Sequence, residues 1–99
     1  MAPVDSLSEK LKAISDPTRL RIIQMLSRCR NKNCEPMLCV NALARELGIT
    51  QSAVSQHLKV LRHAGFVQSE RRGYFIHYRL NTEQMGQLCV ELKTLMKNE

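Results

Sequence analysis

Apolar positions along this chain recur at helical spacing, then in alternation, then at helical spacing again, and these changes divide it into elements. Leu7, Leu11 and Ile14 fall at i, i+4 and i+7, which predicts an amphipathic helix over about 5–14, with Asp5 or Ser6 available as its cap. Asp16-Pro17 reads as an N-cap followed by proline at the first helical position. The helix it opens carries Leu20, Ile23 and Leu26 inward and Arg19, Arg21 and Arg28 outward. Past Arg28 the period is lost, and 29–39, polar and containing proline and cysteines, reads as a long loop.

A short helical pattern returns at Asn41–Leu47, and Gly48-Ile49-Thr50 joins it to a longer one. In that second pattern Thr50 is placed to cap the first turn. Ile49 and Val54 have the spacing of a hydrophobic staple, Val54, Leu58 and Leu61 form the buried side, and Gly65 supplies the left-handed stop. Two helices joined by a three-residue turn with glycine make a helix-turn-helix, here 41–64, with the second helix as the reader. From Phe66 to Leu80 the period drops to two: Tyr74, Ile76, Tyr78 and Leu80 share one face, Phe75, His77 and Arg79 the other, and Arg71-Arg72-Gly73 sits between two strands. A hairpin tipped with cations directly after a helix-turn-helix is the wing of a winged helix; a solvated hairpin tip is the plainer alternative. A last helix over 82–97 carries Met85, Leu88, Cys89, Leu92, Leu95 and Met96. The fold class is therefore mainly α with a small β-hairpin, a winged helix-turn-helix in the order α-α-α-α-β-β-α.

The chain has 99 residues, which allows one domain spanning 1–99 with a modest core. That core can hardly cover the last helix and the first together. Leu7, Leu11, Leu88, Leu92 and Leu95 are accordingly expected to form the interface of a symmetric homodimer, with 5–14 and 82–97 as its helices. The net charge of +6 is unevenly spread. Residues 19–32 hold five cations and no acid, and 45–79 hold six cations against Glu46 and Glu70, while the two ends are close to neutral. A basic middle points to a polyanion. No uncommitted basic amphipathic helix is present to lie on a membrane, and there is neither an apolar leader nor a membrane span, so a cytoplasmic protein is expected.

The outward stripe of the second helix begins with Gln51, Ser52, Ser55 and Gln56 and ends with Lys59 and Arg62. Neutral amides and hydroxyls both donate and accept, which base edges require; cations suit phosphates. The stripe, with Arg71 and Arg72 of the wing, is thus expected to bind double-stranded DNA, and a two-fold dimer would present two such helices to an inverted repeat. The alternative is an ordinary amphipathic helix whose polar side happens to hold Ser and Gln. An enzyme is not expected: no Cys-x-x-Cys accompanies a strand-helix unit, and no nucleophile is paired with a base. A pure protein-interaction module would account for the apolar ends but not for the basic middle.

Three stretches together resemble the ArsR/SmtB family of small winged-helix repressors. They are Asp16-Pro17-Thr18-Arg19-Leu20-Arg21-Ile22; Gln51 through Arg62 with Ala64-Gly65; and the wing ending in Tyr78-Arg79-Leu80. The resemblance covers nearly the whole chain. It implies a dimer that sits on an operator and leaves it when a metal, metalloid or thiol-modifying inducer binds, with no cofactor needed for DNA binding. His57 matches the family's recognition-helix histidine and is read as packing or phosphate contact. Cys39-Val40-Asn41-Ala42-Leu43 lines up with the Cys-Val-Cys-Asp-Leu stretch of arsenic-type members, but Asn41 replaces the second cysteine and Ala44 stands where some members carry a third ligand. The last helix lacks the acidic and histidine ligands of zinc-type members.

What remains is Cys29, Cys34 and Cys39 at equal five-residue steps, with Cys89 distant on the apolar stripe, where it is read as a small hydrophobe. Three thiols can converge on a soft ion. Arsenite is the first expectation for an inducer, because it takes three thiolates and Cys39 matches the arsenic-type position; cadmium, lead and copper(I) follow. A redox switch is the rival, since Arg28, Arg30 and Lys32 favour thiolates nearby. Inert cysteines in a constitutive regulator are the third reading.

Overall fold

The computed structural model describes residues 3–28 and 37–97. In chain order the elements are α1 (Pro3–Ile14), α2 (Pro17–Ser27), β1 (Met37–Cys39), α3 (Val40–Leu47), α4 (Gln51–His63), β2 (Val67–Arg72), β3 (Phe75–Leu80) and α5 (Thr82–Leu95). The strands form one antiparallel sheet in the order β1-β3-β2.

Local chemistry sets the ends of these elements. At α2, Asp16 is extended and its carboxylate accepts from the Arg19 backbone N–H at 3.1 Å, while Pro17 enters the first turn, where no N–H is needed. At α4, the Thr50 hydroxyl accepts from the Ala53 N–H at 3.1 Å. The other end of α4 closes on Gly65 at φ 85°: Gly65 N–H donates to Arg62 O and Phe66 N–H to Leu61 O, both at 2.9 Å, so two otherwise orphaned carbonyls are satisfied. Asn81 then ties the next element to this corner. It donates from its backbone to Phe66 O at 2.8 Å and from Nδ2 to Gly65 O at 3.0 Å, while its Oδ1 accepts from the Gln84 N–H at the start of α5.

The core draws on every helix and on the start of the sheet. Ile22 and Leu26 of α2, Leu43 of α3, Val54, Leu58 and Leu61 of α4, Phe66, Val67 and Leu88 are at most 3 % exposed and lie in one cluster. Each such side chain contributes about 1.5–3 kcal/mol of transfer free energy. α4 packs against α1, α2, α3 and β2, so its axis is fixed from several sides.

The structure corrects four expectations. The sheet has three strands: Met37, Leu38 and Cys39 pair with Arg79, Tyr78 and His77, so the predicted loop ends in a strand that satisfies the far edge of β3 and places Leu38 against the core. On α2 the inward face is Ile22, Met25 and Leu26, whereas Leu20 is 51 % exposed. Arg19, expected outward, is half-buried. Finally, Leu7 and Leu88 are 6 % and 3 % exposed within a single chain, so they pack within the chain's own core and have little surface left for a partner.

Candidate nucleic-acid interface

Because Val54, Leu58 and Leu61 are fully buried, the helical period turns Gln51, Ser52, Ser55, Gln56, Lys59 and Arg62 outward, and all six are exposed. Among the described residues none of their side chains is tied down by a hydrogen bond or ion pair. Caps at both ends and contacts with three other helices hold this stripe on a fixed axis, which bidentate contacts demand. The last turn of α4 carries Arg62 and His63, so the stripe runs from neutral to basic as the sequence suggested.

The wing stands beside it. Arg72 pairs with Phe75 across a two-residue turn, Gly73-Tyr74, in which Gly73 takes φ 64°. Arg71 and Arg72 are both exposed, and Arg72 Nε donates to Glu70 Oε2 at 2.9 Å. Tyr74 at the turn is 97 % exposed, Phe75 56 % and Ile76 43 %. Between the wing and the start of α4 lies an open cleft of about 310 Å³ that Gln51, Ser55, Asn41, Cys39, Tyr74 and Tyr78 help to line. Sequence reading did not anticipate this apolar wing tip, because alternation assigns faces but not how far a hairpin projects.

His57 is the one predicted contact residue that is not exposed. Its ring is half-buried, with Nδ1 3.2 Å from Arg19 Nη1 and 3.9 Å from Asp16 Oδ2. The Arg19 backbone N–H holds the Asp16 carboxyl below its ordinary range; the nearby guanidinium of Arg19 acts in the same sense, and partial burial opposes them. Arg19 is a site residue the sequence did not disclose, since it lies 38 positions from His57 and nothing local marks the pair.

Cys39 is half-buried at the N-cap of α3 and makes no capping bond there, and Cys89 is exposed rather than packed. Cys29 and Cys34 lie outside the described residues. Among the described residues no three His, Cys, Asp or Glu side chains are grouped to hold a metal ion. On the expected subunit face, Leu11 and Leu92 are half-buried against the core, and Leu95 is 55 % exposed beside Val4, Val90 and Met96 at 58 %, 54 % and 75 %. A groove of about 300 Å³ between α1 and α5 runs along Val4, Leu7, Val90 and Leu95, and Lys10 closes on Glu91 at 2.9 Å. No helix among the described residues is long and apolar enough to cross a membrane.

This arrangement has relatives. Residues 16–69, from the cap of α2 into the wing, match the family model described as bacterial regulatory protein, arsR family. The uncharacterized HTH-type transcriptional regulator YbzH of Bacillus subtilis is 34 % identical over 95 residues, covering 87 % of this chain and 94 % of that one. The HTH-type transcriptional repressor SmtB of Mycobacterium tuberculosis is 34 % identical over 88 residues, 89 % of this chain but only 60 % of its own length. A crystal structure of a "possible transcriptional regulator for arsenical resistance" superposes with a TM-score of 0.74 at 32 % identity, covering 91 % of this chain and 86 % of that one. A matched segment that includes α2, α3 and the whole of α4, together with a shared wing, makes this chain a member of the ArsR family of winged-helix, DNA-binding transcription regulators, not an enzyme.

Proposed function

We propose that the chain acts as a homodimeric repressor on an inverted-repeat operator, with Gln51, Ser52, Ser55 and Gln56 facing bases and Lys59, Arg62, Arg71 and Arg72 facing phosphates. The observation that carries this reading is the exposed stripe of α4, neutral at its start, basic at its end and fixed by caps and core. Two copies related by a two-fold axis would set half-sites about one helical turn, ~34 Å, apart. The uncovered apolar side chains Val4 of α1, Val90 and Leu95 of α5, and Met96 just past its end supply a surface for the second copy.

For the signal, we propose a thiol-reactive inducer that loosens the complex, with arsenite as the first candidate and other soft ions next. The support is the arsenical-resistance description of a similar structure, together with the position of Cys39, which stands at the N-terminal boundary of α3 and pairs with His77 across the sheet. Drawing this thiol with Cys29 and Cys34 onto one ion would pull on both α3 and the wing. A differential affinity of about 1–3 kcal/mol is enough for such coupling.

The test begins with selection of a duplex from a random pool by the purified protein, followed by footprinting. A protected inverted repeat is expected, and enrichment of no sequence would overturn the reading. The selected duplex is then titrated with protein in the presence of arsenite, cadmium or peroxide, for the parent chain and for Cys29→Ser, Cys34→Ser, Cys39→Ser and Cys89→Ser. Release by arsenite that the three loop substitutions abolish and Cys89→Ser leaves intact is the expected pattern. Release by peroxide alone would favour a disulfide switch.

A further inference from the structure

One side chain of the recognition helix is held from another helix. Arg19 Nη1 lies 3.2 Å from His57 Nδ1, and a guanidinium can only donate, so Nδ1 must offer its lone pair. The ring hydrogen of this neutral imidazole then sits on Nε2. That atom bonds to no group among the described residues and is not among the buried unpaired atoms, so it opens to solvent. Arg19 is itself anchored: its backbone N–H bonds to Asp16 at the first turn of α2, where Pro17 restricts the chain. Its Nε is buried with no partner among the described residues, a cost tolerated while the guanidinium is turned to the imidazole.

We propose that Arg19 is a positioning residue of the DNA interface. It holds His57 as the Nε2–H tautomer, and Nε2 donates to a backbone phosphate beside the bases that Gln56 faces. The inference rests on α4 being the recognition helix. A half-buried ring fixed at Nδ1 lacks the reach of Gln56 or Lys59 into a groove, whereas a phosphate at the rim comes to it. The donor is neutral, so this contact sets register without releasing a counterion.

Two measurements test it. Long-range nitrogen NMR of the free protein near neutral pH reads the tautomer without DNA: a pyridine-like Nδ1 and a pyrrole-like Nε2 are expected, and Arg19→Gln should mix the tautomers. An Nδ1–H tautomer or an imidazolium, its Nδ1 turned to Asp16, would overturn the assignment. The second uses the duplex selected by the parent protein and exploits amide geometry, since a glutamine amide nitrogen can replace Nε2 and an asparagine amide nitrogen only Nδ1. His57→Gln should bind within about three-fold of the parent with an unchanged salt slope, and His57→Asn should lose about ten-fold, the scale of one hydrogen bond to a charged group. Arg19→Gln should weaken the parent about five-fold but leave His57→Gln unaffected. Equal binding by His57→Gln and His57→Asn, with both chains folded by their amide spectra, overturns the phosphate role. A parent that selects no duplex overturns the recognition-helix reading instead, while the NMR result still decides what Arg19 does to His57.

Discussion

In the proposed interface, amides and hydroxyls on α4 and guanidinium groups on the wing would meet different parts of a duplex, and single substitutions separate them. Gln56→Ala should cost about 1–3 kcal/mol and relax preference at one base position, while Arg71→Ala should weaken all sequences alike and lower the salt slope by about one. Binding measured on a panel of single-base variants at several salt concentrations distinguishes the two. Glu70 adds a subtler case. Its carboxylate holds Arg72 at 2.9 Å on the same wing, so Glu70→Gln should tighten binding to every sequence by removing both the competitor and its negative charge. Asp16 acts on stability instead. Its folded pKa is lowered, so the ionised cap stabilises above the ordinary aspartate value of 3.8, and that contribution is lost as the pH falls through this value toward the lower folded one. Melts between neutral and acid pH should show a shallower acid-side decline for Asp16→Asn, which keeps a capping oxygen but does not titrate.

Among the elements, those whose instructions are local were legible in the sequence. Asp16-Pro17, Thr50 and Gly65 mark their boundaries with bonds made three residues away, by the side chains of Asp16 and Thr50 and by the backbone N–H of Gly65, and each was placed correctly. The exposed stripe followed from the same period. β1 was not legible because three residues cannot display alternation, and its partner strand lies about forty positions away. α2 was misread because apolar residues at 20, 22, 23, 25 and 26 satisfy more than one inward face, and only packing against α4 and β3 chooses Ile22 over Leu20. The α4 stop is the sharpest test of a local instruction. A Cβ at Gly65 would need φ 85° and would meet Gln84 Nε2 at 3.0 Å, so Gly65→Ala should cost about 1–2 kcal/mol in urea unfolding. Gly73→Ala should also cost about 1–2 kcal/mol, through the backbone alone, because the wing turn takes φ 64° with open space around it.

At the scale of the whole molecule, the long apolar stripe of the last helix misled because its positions serve two different purposes. Leu88 is spent inside the chain, holding α5 to the core, whereas Val90, two residues on and turned to the other side of the helix, is 54 % exposed and faces the groove beside Val4 and Leu95. The same substitution at neighbouring positions should therefore fail in different ways. Leu88→Asp buries an unpaired charge among core side chains and should unfold the chain at any protein concentration. Val90→Asp leaves the core intact: its melting curve at low concentration should match that of the parent, but the charge would meet an apolar face across the two-fold axis and shift the sedimenting species from dimer to monomer. Since each half-site then binds alone, Val90→Asp should also lose most of its affinity for a full inverted repeat while keeping the parent's weak affinity for a single half-site. A Val90→Asp protein that sediments as a dimer and binds the full repeat like the parent would place the subunit contact elsewhere on the surface.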